Sequence, residues 1–370
     1  MIFPPVSAAS KLEPYKRRLF IGAYGFEQRS LGWTAYQRGK ASILNGAIVF
    51  QYKHPKGKNR TVELRKNLSA LGVSAPKHIP YDTRQPHHIE DIIEKRFATL
   101  ALGADEVVID ISAMTKLLIL LCLDKLSNFA GTLRLEYSEG VDYAPTRKKY
   151  EKCKKNIDTI AFLPSRGFES IVRTKSLSSI RMQGQPVTMA AFTSFNEQLV
   201  RHMLGTINPH RLLFINGRPP RKDYAWRERA TQEIHSKLID EYSTDNPTDD
   251  KGLLTRVAST LDYRETISRI EEIYGQFGSH ERIICAATSS KMQTVGLFFC
   301  KKRHPDIHIE YPTPDSYFVT GMSKGVSKVN EIVIPQFSEF VKTMRIKDDV
   351  PSEEGYQKIS YVFEPNITAQ

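Results

Sequence analysis

Cysteine is scarce in this chain. There are four in 370 residues, Cys122, Cys153, Cys285 and Cys300, and no two form a CxxC pair. That argues against a structural zinc site and against a disulfide framework, and at this length it points to a reducing cytoplasm. Long hydrophobic runs are also missing. The most apolar stretch, "LLILLCL" (117–123), falls far short of the ~20 residues that a membrane-spanning helix needs. It reads as a buried helix face packed on a sheet, and no membrane association is expected. The opening stretch "MIFPPVSAASKLEPYKRR" has no extended apolar segment, so no secretory leader is expected. There is no GxxxxGK[ST] loop, no GxGxxG fingerprint and no GxSxG elbow, which leaves ATP hydrolysis, dinucleotide redox chemistry and a nucleophile-elbow hydrolase without support. His87 and His88 have no carboxylate or cysteine at a ligand spacing, so neither a metal nor a cofactor is expected.

What the sequence does have is positive charge. Lys and Arg number 53 against 41 Asp and Glu, a formal +12. Such a surplus favours polyanionic partners: nucleic acid, nucleotides or phosphorylated ligands.

It also has a pattern that occurs twice. Each half opens with a strand and a polar turn, "RRLFIGAYGFEQRSLGW" (17–33) and "VTMAAFTSFNEQLVRHM" (187–203). Each continues with a second apolar strand and a basic loop containing Gly and Pro, "GAIVFQYKHPKGKNR" (46–60) and "RLLFINGRPPRKDYAWR" (211–227). An amphipathic helix follows, with Ile89, Ile92, Ile93 and Phe97 at helical spacing in the first copy. Next come "DEVVIDISAMTK" (105–116) and "ERIICAATSSKMQ" (281–293), and then strands ending Glu-Tyr with a Tyr-bearing loop, "LRLEYSEGVDYAP" and "IHIEYPTPDSYFV". Strands alternating with helices predict βαβ units and a mostly parallel sheet, and apolar strands without alternation predict helices on both faces.

The expected fold is therefore α/β: two tandem Rossmann-like domains, an internal duplication, with mostly parallel sheets packed about a pseudo-two-fold axis. The expected boundaries are 16–165 for the first domain, 166–186 for a linker, 187–325 for the second domain and 326–370 for a C-terminal extension. Within the second domain, 243–256 reads as a surface loop. A helix is expected near "PQFSEFVKTM" and a short strand near "KISYVF".

In open parallel sheets ligands bind beyond the carboxyl ends of the strands, and a helix N-terminus there favours phosphate. The first copy places Asp110, Ser112, Thr115 and Lys116 at such a corner, and the second places Thr288, Ser289, Ser290 and Lys291 there. The first-strand turns add Tyr24, Phe26, Glu27 and Arg29 in one half and Ser194, Asn196 and Glu197 in the other. One such corner alone also suits an ordinary capped helix with a solvated lysine. It is the repetition that favours a shared anion-binding cleft. The basic loops hold Lys53, Lys56, Lys58 and Arg60, and Arg218, Arg221, Lys222 and Arg227 with Tyr224 and Trp226 interleaved, a composition that suits a nucleic-acid backbone or an unattached basic loop.

"DISAMTK" (110–116), with Asp110, Ser112, Thr115 and Lys116, resembles the strand-end motif of the CRISPR-associated Rossmann-fold (CARF) sensor domains, and "GAYGFEQ" (22–28) resembles their first-strand turn. Ala113-Met114 stand where that family has paired glycines, and Cys285 stands where the second copy would have an acidic residue. The resemblance implies a prokaryotic antiviral-defence setting. It implies a cyclic oligoadenylate bound between two such domains and, with no effector domain read in the sequence, a protein partner as effector. Some members of the family also cut the ring slowly.

Three readings follow. The first is a cytoplasmic nucleotide-sensing or nucleotide-binding subunit. The second is a nucleotide or phosphodiester hydrolase, with Lys116 and Arg29 stabilising charge and Glu27 or Asp110 as base. The third is a DNA- or RNA-binding component using the basic loops.

Overall fold

A computed structural model describes residues 2–14, 16–39, 42–53, 59–83, 87–100, 103–154, 165–242, 246–288, 290–317 and 322–344. Lys56, Lys58, Ser289 and the strand expected near "KISYVF" lie outside the described residues.

The chain begins with a short strand, β1 (Ser7–Ala8). Strands and helices then alternate: β2 (Arg18–Ala23), α1 (Gly32–Tyr36), β3 (Gly46–Tyr52), α2 (Thr61–Ala70), β4 (Lys77–Tyr81), α3 (His87–Leu100), β5 (Glu106–Asp110), α4 (Lys116–Lys125) and β6 (Thr132–Ser138). A connecting region holds β7 (Asp142–Tyr143), α5 (Arg147–Cys153), β8 (Ser165–Arg166) and β9 (Ser170–Val172). The alternation resumes with β10 (Val187–Phe192), α6 (Gln198–Ile207), β11 (Arg211–Arg218), α7 (Trp226–Glu241), β12 (Val257–Ser259), α8 (Tyr263–Phe277), β13 (Arg282–Ala286), α9 (Lys291–Arg303) and β14 (His308–Thr313). Last come β15 (Ser316–Tyr317), β16 (Ser323–Lys324), β17 (Val329–Ile334) and α10 (Phe337–Met344).

The first sheet contains the parallel run β4-β3-β2-β5-β6, and the second contains β12-β11-β10-β13-β14, also parallel throughout. In both, the first strand of the run lies at the centre and the fourth lies beside it. This is a doubly wound, Rossmann-like order, and it puts the crevice at the carboxyl ends of those two strands. The fold is α/β with two mostly parallel sheets.

Each sheet gains a strand from beyond the other run, and the first ends on β1, which pairs antiparallel with β17. β9, from the stretch read as a linker, pairs antiparallel with β14. β17, from the stretch read as a C-terminal extension, pairs antiparallel with β6 over six residues, Val329 opposite Ser138 through Ile334 opposite Leu133. Two small ribbons repeat the exchange: β7 pairs with β16, and β8 with β15. The stretch 243–256 is also more than a surface loop. Asn246 is buried and its carboxamide accepts from the Phe214 amide at 2.8 Å, while Leu254 joins the outer core of the second sheet.

The layers follow from which faces are apolar. α1 and α2 cover the outer face of the first sheet, and α6 and α7 that of the second. The inner faces of both sheets, with α3, α4, α8 and α9 between them, share one continuous core. The run Leu117–Leu123 in α4 is buried at every position, because the sheet lies on one side and α9 on the other. A helix apolar all round needs such a place. Across the same contact Lys302 of α9 meets Asp124 of α4 at 2.5 Å. Phe299 of α9 packs among the rings of Phe3, Tyr263 and Phe340, at centroid distances of 5.7, 5.5 and 6.0 Å. Among the described residues no helix is long and apolar enough to cross a membrane.

Because one core serves both sheets, Phe299→Ala is expected to lower unfolding free energy by about 3–5 kcal/mol. Denaturant titration followed by tryptophan fluorescence and by circular dichroism should still give coincident transitions. Two separated transitions in the wild type would mean that the halves fold independently.

Candidate functional site

The site forms where the doubly wound order predicts it, at the ends of the central strands. After β2 the chain turns through Tyr24-Gly25-Phe26-Glu27, and after β5 through Ile111-Ser112-Ala113-Met114-Thr115. The two turns touch. A side chain on Gly25 would come within 2.8 Å of the β-carbons of Ala113 and Ser30, so the first turn needs glycine there.

The second turn has no glycine and is held by side chains instead. The Asp110 carboxylate accepts from the Ser112 amide at 2.9 Å, and Ser112 Oγ accepts from the Ser138 amide at 2.9 Å. The Tyr52 hydroxyl donates to the Ala113 carbonyl and accepts from the Thr115 amide, both at 2.9 Å. Thr115 then caps α4, accepting from the Leu118 amide at 3.3 Å. In the second half Ser290 caps α9 reciprocally with Gln293, at 3.0 and 3.1 Å. Thr288 turns inward and donates to the Phe192 carbonyl at 2.7 Å.

The cationic corners of the two halves converge. Lys291 Nζ, at the start of α9, donates to the Ser112 carbonyl in the turn that leads into α4. Lys116 lines the same cleft, and among the described residues no carboxylate pairs with it. Arg29 sits on Glu27 at 2.8 Å, with both side chains almost out of solvent, and also donates to the Tyr137 hydroxyl at 3.3 Å. Ser323 of β16 donates to the other Glu27 oxygen at 2.5 Å. In the second half the matching contact joins Asn196 Nδ2 to Ser165 Oγ of β8 at 3.3 Å.

Desolvation sets the electrostatics. Burial pulls the Lys116 ammonium down to about 8. It pulls Lys291 well below the ordinary lysine value, helped by the charge of Arg29 and opposed by Glu27 and Asp110. Burial pushes the Asp110 carboxyl up to about 6, against the hydrogen bonds from Ser112 and the charges of Lys291 and Arg29. For Glu27 burial is outweighed by Arg29, Lys291 and Ser323, and its carboxyl lies below the usual range.

The cleft between the halves has a cavity volume of about 440 Å³, within the range of small-molecule sites. Of the residues singled out in the sequence, Tyr24, Phe26, Glu27, Arg29, Thr115, Lys116, Ser194, Asn196, Thr288, Ser290, Lys291, Arg221, Tyr224 and Arg227 line it. Asp110 and Ser112 do not. They are buried behind the wall and support the turn. Glu197 faces away and pairs with Arg201 at 2.6 Å. In the basic loops, Lys53 meets Asp82 at 3.5 Å and Arg60 meets Glu63 at 3.1 Å. Arg218 meets Glu265 at 2.7 Å and Arg221 meets Asp223 at 2.5 Å, whereas Lys222 is exposed and, among the described residues, Arg227 has no carboxylate partner. Prominent among the lining residues not singled out are five tyrosines, Tyr52, Tyr137, Tyr143, Tyr311 and Tyr317. Four of them belong to the repeated Glu-Tyr strand ends and Tyr-bearing loops, so the repeat carried that signal.

Asp110 gives a pH prediction. Its folded value, about 6, lies above the unfolded value of 3.8, so its ionised form opposes folding at neutral pH and this cost fades as pH falls from 6 toward 4. Asp110→Asn is expected to gain up to about 1–3 kcal/mol at pH 7.5, with the gain shrinking toward pH 4. Thermal unfolding of both proteins across that range checks it, and a loss of stability at pH 7.5 would contradict it.

No family model matches this chain, and no curated protein matches it. A solved structure described as a type III CRISPR defence DNA nuclease activated by cyclic oligoadenylate aligns with a TM-score of 0.43 and 10% sequence identity, over 84% of this chain and 68% of that one.

Proposed function

We propose that the cleft binds a nucleotide-type anion, and that the chain is a nucleotide-sensing or nucleotide-binding subunit of a prokaryotic antiviral defence system, acting in the cytoplasm through a partner effector. The observation that carries the binding reading is Lys291 of one half reaching the Ser112 carbonyl of the other, beside a Lys116 that pairs with no carboxylate among the described residues. Two partly buried lysines at the starts of α4 and α9 favour an anion there, since a cation that loses water without a paired charge is costly. Tyrosine and phenylalanine rings on the walls supply faces on which bases stack. The defence setting, and a cyclic oligoadenylate as ligand, rest on the resemblance of "DISAMTK" and "GAYGFEQ" to the CARF motifs.

Binding is favoured over hydrolysis by the state of the two carboxylates. Glu27 is committed to Arg29 and Ser323, and Asp110 lies behind the wall of the cleft. Neither is placed to activate water.

Titration of labelled cyclic and linear oligoadenylates should show binding to the wild type. Lys116→Ala should weaken it about 10–100-fold, the value of one lost charged hydrogen bond. Because Lys116 loses its proton near 8, affinity should be highest below that pH and fall above it. The ligand should be recovered intact. A wild type that binds none of these compounds sinks the proposed ligand, and cleaved product would restore the hydrolase reading.

A further inference from the structure

Arg227 differs from the other arginines that line the cleft and from most of those withdrawn from solvent in the sheets. Arg18 meets Glu106 at 2.5 Å, Arg29 meets Glu27 at 2.8 Å and Arg134 meets Glu106 at 3.0 Å. Arg227, near the start of α7, lines the cleft, and no carboxylate lies within ion-pair distance of it among the described residues. Its guanidinium donates to the carbonyls of Ala144 and Pro145, each at 2.9 Å, and sits 4.4 Å from the centre of the Phe195 ring. Those contacts satisfy N–H groups and give a cation–π attraction, but they do not neutralise a charge. Burial accordingly draws its proton affinity down, to about 10.

The first half has an arginine in the matching place. Arg60 stands at the start of α2, after the second-strand loop, and donates to the carbonyl of Phe26, the counterpart of Phe195, at 3.3 Å. There Glu63 neutralises it at 3.1 Å. The two halves therefore have one compensated and one uncompensated arginine at equivalent positions, and of these two only Arg227 lines the cleft.

We infer that Arg227 holds a second anionic group of the ligand, apart from the one at the Lys116–Lys291 corner, so that the cleft takes an oligoanion seated toward the second half. This rests on the reading of the cleft as an anion site. It also has a consequence for specificity: a ligand with a single phosphate fills only the lysine corner, and a chain of phosphodiesters reaches both.

The test uses the full chain, with orthophosphate and linear triadenylate as probes, each followed by thermal shift against concentration. Arg227→Gln should weaken triadenylate about 10–100-fold while changing orthophosphate affinity less than about twofold. Arg227→Lys should restore part of the loss. The slope of log affinity against log salt for triadenylate should fall by about one in Arg227→Gln. Without ligand, the melting temperature of Arg227→Gln should stay within about 3 °C of wild type. Unchanged triadenylate binding overturns the inference, and so does an equal loss for both probes. A large drop in ligand-free stability also overturns it, because Arg227 would then be a staple for the Ala144–Pro145 carbonyls. If the probes bind wild type and lose affinity in Lys116→Ala but not in Arg227→Gln, this inference alone fails. If neither probe binds wild type, it fails together with the anion-site reading.

Discussion

The packing of α4 against α9 is the contact on which the rest of the structure depends. Each helix leaves the crevice of its own doubly wound sheet, and each begins with a lysine. Placing the two side by side in one core brings those beginnings to a single cleft, where Lys291 reaches the Ser112 carbonyl. The sequence of α4 allows little else: its run of seven buried residues needs apolar surface on every side. The exchanged strands reinforce the arrangement. β17 is hydrogen-bonded along β6 and β9 along β14, so that separating the halves would expose sheet edges as well as apolar helix faces.

A cleft assembled in this way gathers cations where they are partly withdrawn from solvent. Lys116, Lys291 and Arg227 all lose solvent on folding, and burial lowers the proton affinity of each. Pairing them with carboxylates would relieve that cost, as Glu27 does for Arg29 and Glu63 for Arg60. Lys116 and Arg227 have no paired carboxylate among the described residues, an arrangement that suits an anion site and that a structural core avoids. The rigid supports around them fit the same view. Tyr52 fixes the turn before α4 with two hydrogen bonds, and the Ser290–Gln293 box fixes the start of α9, so the cations are positioned before any ligand arrives.

Much of this was legible in the sequence, because its signals were local. Apolar strands without alternation, amphipathic helices and the order of turns indicated two mostly parallel sheets, and the repeated lysine corner marked the turns that meet at the cleft. What was not legible depends on partners distant in the chain. β9 is an edge strand and β17 lies between β6 and the short β1, and their membership is decided by β14 and β6, far away in sequence. The basic loops looked free because Asp82, Glu265 and the other carboxylates that neutralise them belong to other elements or to the next turn. Asp110 reads as a ligand-facing acid from its place at a strand end, yet its side chain folds back onto the Ser112 amide and leaves the wall to Thr115 and Lys116.

The central claim is that the two lysines act on one anion from opposite halves. A double-mutant cycle of Lys116→Ala and Lys291→Ala, read as affinity for an oligoadenylate, tests it most directly. If they share a ligand group, each single substitution weakens binding and the two effects fail to add, with a coupling of about 0.5–3 kcal/mol. Strict additivity, or a Lys291→Ala variant that binds as well as the wild type, would contradict the shared site.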